Sequence, residues 1–188
     1  MIPTEKQAIE ILKKYIKGKA NLEHNLIVGY GMKGISKFLG KKEDEQNRFF
    51  VIGTLHDIDL EKYNGNIKNH CVVGEEILNK ENIDKEIIRT IKTHNEILGI
   101  KKEKEEDHLL FSIDGLSGII RAYVLMRPDR DITQAKLKSI KKKLKDKGFA
   151  ANVSREEIYY APDLLKIERD KFIEAVLEEV KNNMDFRE

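Results

Sequence analysis

The chain has 188 residues, 40% of them hydrophobic and 36% charged, and a net charge of +2. That length and apolar content suit one domain with a substantial core, and the near balance of charge gives no global basic field of the kind that marks a nucleic-acid binder. A single cysteine, Cys71, excludes an intrachain disulfide and a cysteine-based zinc knuckle, which fits a reducing, cytoplasmic setting.

The N-terminus carries no basic stretch followed by an apolar run, so no signal peptide is expected, and no run of membrane-spanning length is evident. Three prolines among many Lys, Glu, Leu and Ile favour helices. Thr4-Glu5-Lys6-Gln7 reads as a capping box, with Ala8, Ile9, Leu12 and Ile16 following at helical spacing. Asn21 is expected to cap a second helix with Leu22, Leu26, Tyr30 and Phe38 on its apolar face, and Asp44 a third that buries Phe49, Phe50, Ile52 and Leu55. Asn64-Gly65-Asn66 reads as a turn.

A fourth helix is expected over 70–78, a fifth from the cap Asp84 to near His94, and a sixth over about 106–126, stopped by Arg127-Pro128. Thr133 is expected to open a seventh, Gly148 to end the basic helix within it, and Ser154-Arg155-Glu156-Glu157 to form a second capping box. A last helix uses Phe172, Ile173, Val176, Leu177 and Val180. The pattern predicts one all-α domain, a helical bundle with its core at about 20–126 and a helical C-terminal extension from about 129 to 188.

Five histidines stand out: His24, His56, His70, His94 and His108. The first four fall in different predicted helices or at their ends, and Asp57 directly follows His56. Asp114 interrupts an apolar stretch, Leu109-Leu110-Phe111-Ser112-Ile113-Asp114-Gly115-Leu116, where a carboxylate is costly to bury without a partner or a cation. Crossing helices can converge such side chains on one point, and imidazole with carboxylate suits first-row divalent metals.

The ordered set resembles the HD-domain superfamily of metal-dependent phosphohydrolases. The early histidine is His24 in Asn21-Leu22-Glu23-His24, the pair is Thr54-Leu55-His56-Asp57-Ile58, and the late aspartate is Asp114. His70 and His94 stand where two-metal members add two further histidines. The stretch Asp114-Gly115-Leu116-Ser117-Gly118-Ile119-Ile120, with Met126-Arg127-Pro128 and the run 136–151, is similar to a small subgroup of predicted HD hydrolases without an assigned substrate.

The resemblance implies that His24, His56, Asp57 and Asp114 bind one ion, and that Asp57 bridges to a second held by His70 and His94. Mn, Fe, Co, Ni or Zn are the expected ions, with Mg as an alternative. Asp57 and Asp59 are the catalytic candidates, Asp59 as a group that orients water, shuttles protons or supports a ligand. Glu61, Lys62, Lys138 and Lys142 are candidates for contacting substrate.

The cyclic-dinucleotide branch carries His-Asp-Ile-Gly-Lys, whereas this chain reads His56-Asp57-Ile58-Asp59-Leu60, and His94-Asn95-Glu96 supplies one histidine where that branch has two. These departures argue against a cyclic-dinucleotide substrate. The expected function is hydrolysis of a small phosphate ester, with nucleotide mono- and diesters among the candidates, and no membrane partner. Two alternatives are a non-catalytic HD-type module that binds a ligand or partner, and a nucleic-acid binder built on the lysine-rich helix. That helix aligns Leu137, Ile140 and Leu144 on one face, so docking by an apolar stripe with solvated lysines outside is its plainest reading. The sequence leaves the oligomeric state open.

Overall fold

Glycine decides where the central helices meet. In the computed structural model, which describes residues 1–63 and 65–187, helix α2 (Lys19–Phe38) runs through the middle of the molecule. Its neighbours are α3 (Glu43–Leu55), α6 (Glu105–Leu125) and α9 (Arg169–Asn183). At the α2–α3 crossing, a Cβ on Gly53 would stand 2.6 Å from Val28 O, and one on Gly29 would stand 2.2 Å from Thr54 Oγ1. Gly31 faces Ile113 of α6 and Val176 of α9, and Gly34 meets Ala175 O of α9. Backbones therefore approach closely on three sides of one helix.

The other helices complete the bundle. α1 (Glu5–Tyr15) packs on α3, and α5 (Lys85–Lys92) packs on α3, α4 (Val72–Lys80) and α6. α7 (Leu137–Lys145) and α8 (Arg155–Leu164) lie against α6 and α9. The core between them is fully buried Ile27, Met32, Phe50, Ile52, Ile113, Leu116, Phe172 and Val176, each contributing roughly 1.5–3 kcal/mol by burial. No strand occurs among the described residues. The all-α expectation therefore holds, and the last helix uses the five apolar residues named from the sequence, all buried.

Several boundaries differ from expectation, each for a physical reason. α2 begins at Lys19 because a remote carboxylate caps it: Lys17 N and Gly18 N donate to Glu61 at 2.9 and 2.7 Å, and Asn21 Nδ2 donates to Glu61 instead of Asn21 capping. α3 starts at Glu43, where Glu45 accepts from Lys42 N, so Asp44 lies within the first turn. α4 starts two residues after His70, since Asp59 takes its first free N–H groups, those of Cys71 and Gly74.

A 3-10 turn (Ile132–Gln134) capped by Asp131 replaces the helix expected at Thr133, and α7 follows it, ending at Asp146 before Gly148. The run of membrane-spanning length not evident in the sequence is present in α6, by length and composition, at mean hydropathy 1.3 over its apolar window. Most of its apolar residues, from Leu109 to Val124, are buried in the bundle against α2, α3, α5 and α8, while Leu125 is exposed. Of the expected 64–66 turn, Asn64 lies outside the described residues, and Gly65 has φ +71°.

Candidate metal centre

The α2–α3 glycine crossing sets His24, five residues before Gly29, beside His56, three residues after Gly53. His24 Nε2 lies 3.1 Å from His56 Nε2, 3.3 Å from Asp57 Oδ2 and 3.3 Å from Asp114 Oδ1. His56 Nε2 lies 3.6 Å from Asp57 Oδ2 and 3.7 Å from Asp114 Oδ1. The other Asp57 oxygen, Oδ1, is 3.3 Å from both His70 Nε2 and His94 Nε2, which are 3.0 Å from each other. All six predicted residues thus converge, in two sets that share one carboxylate. Donor atoms around one cation at bond lengths of ~2.0–2.1 Å sit roughly 2.9–3.4 Å apart, so most of these separations match the edges of a coordination shell.

The outer nitrogens explain why the rings aim as they do. His56 Nδ1 donates to Gly53 O at 2.8 Å, and His94 Nδ1 donates to Ile91 O. His70 Nδ1 donates to Asp59 Oδ1 at 2.9 Å. Ser117 gives its hydroxyl proton to Asp114 O, so it accepts from His24 Nδ1 at 2.9 Å. Each Nδ1 therefore carries its proton, so each Nε2 faces the cluster, where it can take up either a second proton or a cation. Neutral imidazole lone pairs facing each other at 3.0–3.1 Å repel unless a positive charge lies between them. The donor set fits a divalent cation on that ground.

The electrostatics point the same way. Burial opposes the charge on Asp57, yet His56 and the hydrogen bonds from His24, His70 and His94 hold its carboxyl well below the usual range. Asp114 is lowered likewise, against burial, by His56 and His24. Burial disfavours a proton on His70, but Asp57 and Asp59 outweigh it and push its pKa up to about 12. His24 and His94 are also raised against burial, His24 through Asp57 and Asp114, His94 through Cys71 and Asp57. The cluster is a sink for positive charge.

The five remaining candidates, Asp59, Glu61, Lys62, Lys138 and Lys142, lie outside the two donor sets. Asp59, expected as a catalytic acid, base or ligand support, is fully buried behind His70, with Oδ1 on His70 and Oδ2 on two backbone N–H groups. Its geometry is that of ligand support alone. Glu61 caps α2 rather than meeting substrate, and the N–H of Lys17, Asn21 and the N–H of Gly18 lower its pKa. Lys138 and Lys142 line a surface depression along α7 that shares no residue with the cleft at the metal centre. Lys62, expected to contact substrate, lies over the Tyr15 ring, 4.6 Å from its centroid.

The structure adds residues that sequence patterning left out. Cys71, expected as a small core residue, is buried with Sγ 3.8 Å from His94 Nδ1. Burial raises its pKa, but His94 and His70 bring it below the usual thiol value. Asn25 holds the pair in place by accepting from Asp57 N at 3.3 Å. The centre opens on one side: Asp114 and His24 side chains are 33% and 22% exposed, those of His56 and His94 0% and 5%. A cleft of about 230 Å³ lies there, walled by Gly115, Gly118, Asn152, Val153, Ser154 and Glu157. Burial, with Asp114 and Glu96 adding to it, raises the Glu157 pKa. Their only sequence signals were the glycines following Asp114 and the Ser154 cap.

A profile of the family described as HD domain matches residues 21–119. No solved structure shows a significant match to the chain. The matched span contains all six converging residues and ends within α6, before the segment that supplies Asn152 to Glu157. With more than half of the chain matched, and with a helical fold that brings the histidines and aspartates together, the protein belongs to the HD domain family.

Proposed function

We propose that the protein is a metal-dependent phosphohydrolase that holds two divalent cations and hydrolyses a small phosphate ester. The observation that carries the reading is the division of donors around Asp57: Oδ2 faces His24 and His56, which Asp114 Oδ1 also faces, while Oδ1 faces His70 and His94. When bound, two divalent cations lower the pKa of water from ~15.7 toward ~7 and draw charge off phosphoryl oxygens.

The chain's own residues do the rest. Asp57 places its two oxygens in two donor sets, which fixes the sets at a carboxylate's width. Asp114 and His24 stand at the open side, where an ester enters. His56 and His94 close the back of the centre, and their hydrogen bonds to Gly53 O and Ile91 O keep the rings from turning. The second set holds one donor fewer than the first and lies deeper, with Cys71 Sγ close beside His94.

Purified protein loaded separately with Mn, Fe, Co, Ni, Zn and Mg tests this, with metal content measured alongside turnover of nucleotides and generic phosphoesters. About two ions per chain and hydrolysis with at least one metal are expected. Asp57→Ala should lose both ions and reduce kcat by at least about 10³-fold, since it contributes to both sets. Wild type that binds no metal, or Asp57→Ala that turns over unchanged, overturns the proposal.

A further inference from the structure

Four helices of this protein carry Gln, Glu or Asp at their third position, where a side chain can fold back on the cap. Gln7 in α1 accepts from Thr4 N, Glu45 in α3 from Lys42 N, and Asp107 in α6 from Lys104 N. Glu157 in α8 is the exception. Ser154 accepts from Glu157 N at 3.2 Å, but no hydrogen bond from Ser154 N to the Glu157 carboxylate closes the box. That carboxylate makes no ion pair among the described residues, and its side chain lines the cleft beside Asp114 and His24. An acceptor left out of its capping box, with the Ser154 hydroxyl as its near neighbour and exposed at the rim of the cleft, is available to a ligand.

The rest of the wall specifies what kind of ligand. Among the described residues lining the cleft, none is Lys or Arg. Arg155, the one cation in the segment, is turned away and held by backbone carbonyls, donating to Val153 O at 2.7 Å, Ala150 O at 2.8 Å and Asp146 O at 3.1 Å. The wall therefore repels a second anionic group. It offers a carboxylate, the Asn152 amide and the Ser154 hydroxyl, a set that accepts hydrogen bonds from neutral hydroxyls. A carboxylate placed against a sugar is the recurring way to bind vicinal hydroxyls and to exclude phosphate from them.

The wall comes this close because α6 is notched beneath it. A Cβ on Gly118 would stand 2.9 Å from Val153 Cγ2, and one on Gly115 would stand 3.2 Å from Ile158 Cγ1. Ser112 fastens the same pair of helices, donating to Glu157 O at 2.7 Å and accepting from Ala161 N at 2.8 Å. The segment lies outside the span that matches the family.

We infer that Glu157, assisted by Asn152, is a specificity-determining residue that binds the hydroxyl groups of the alcohol half of the ester, a ribose-like polyol carrying no second phosphate at that end. The inference rests on the metal centre holding the phosphate. The test compares adenosine 5′-monophosphate with its 2′,3′-dideoxy analogue on Mn-loaded protein, in wild type, Glu157→Gln and Glu157→Ala, with Mn content measured in each.

Wild type should favour the ribonucleotide in kcat/KM by roughly tenfold or more, as expected for hydroxyls bonded to a charged acceptor. The ratio should fall toward one in Glu157→Ala and take an intermediate value in Glu157→Gln, with the difference lying mainly in KM and with Mn content equal to wild type. A wild-type ratio near one, a ratio unmoved by Glu157→Ala, or loss of Mn in that variant overturns the inference. If wild type hydrolyses neither nucleotide nor any generic phosphoester, the phosphohydrolase reading is what fails. Calorimetric affinities for the same two nucleotides then decide on Glu157, equal affinities overturning its role and a preference lost in Glu157→Ala supporting it.

Discussion

Asp59 shows how one buried residue can govern an ion it does not touch. Its carboxylate takes the first free N–H groups of α4 and the Nδ1 proton of His70, so the start of a helix and the aim of a ligand are fixed by the same group. Asp59→Asn replaces one oxygen with an NH2 that must face a donor. Metal content is expected to fall from two ions per chain toward one, with affinity for the weaker ion reduced about 10- to 100-fold, read by titration with Mn or Co after chelator stripping. Retention of both ions at unchanged affinity would remove Asp59 from the centre. The six converging residues were legible in the sequence because their order along the chain is the family's own. The supporting roles of Asp59 and Glu61 were not, since what a carboxylate does two or four residues past the His-Asp pair depends on which helix end the fold brings to it. Asp59 meets α4 and Glu61 meets α2, and neither meeting leaves a periodic trace.

At the scale of elements, helices were readable from apolar spacing, and their starts were readable where the cap is local. Thr4 and Asp84 cap as the sequence predicts. Asn21 and Asp44 do not, because α2 is capped from a distant loop and α3 by a box that starts two residues earlier, at Lys42. The α2–α3 crossing was also invisible, since a glycine in a helix signals close approach without naming its partner. Gly53→Ala should cost at least about 1–3 kcal/mol, because its Cβ would meet Val28 O, backbone that cannot swing aside. The same variant should bind the first ion more weakly, as His24 and His56 ride on the two helices being pushed apart. A chelator-treated thermal melt measures the first effect and metal titration the second, and an unchanged melt would contradict the packing described.

For the whole molecule, the family span is smaller than the unit that packs. α9 covers Gly31 and Gly34 of the central helix with Val176 and Ala175, and Glu179 is gripped by Lys37 at 2.7 Å. A chain ending at residue 128 would expose that face of α2 together with one side of α6. It is expected to lose cooperative melting and to bind hydrophobic dye, and a sharp melt in the shortened chain would show that the C-terminal helices are dispensable. The loop 146–153 belongs to this same C-terminal portion, and it has neither helix nor strand of its own. Arg155 fills its centre, with Leu144, Asp146, Phe149, Ala150 and Val153 all presenting carbonyls to one guanidinium. A planar group with five N–H donors is saturated by such a ring of acceptors, so one side chain stands in for a secondary structure. The inheritance of this protein is divided as a result. A single codon change at Arg155 would remould the rim of the cleft, while His24, His56 and Asp114 stay on α2, the end of α3 and α6. One step in a lineage would therefore reshape the cleft and leave the cluster of histidines and aspartates intact.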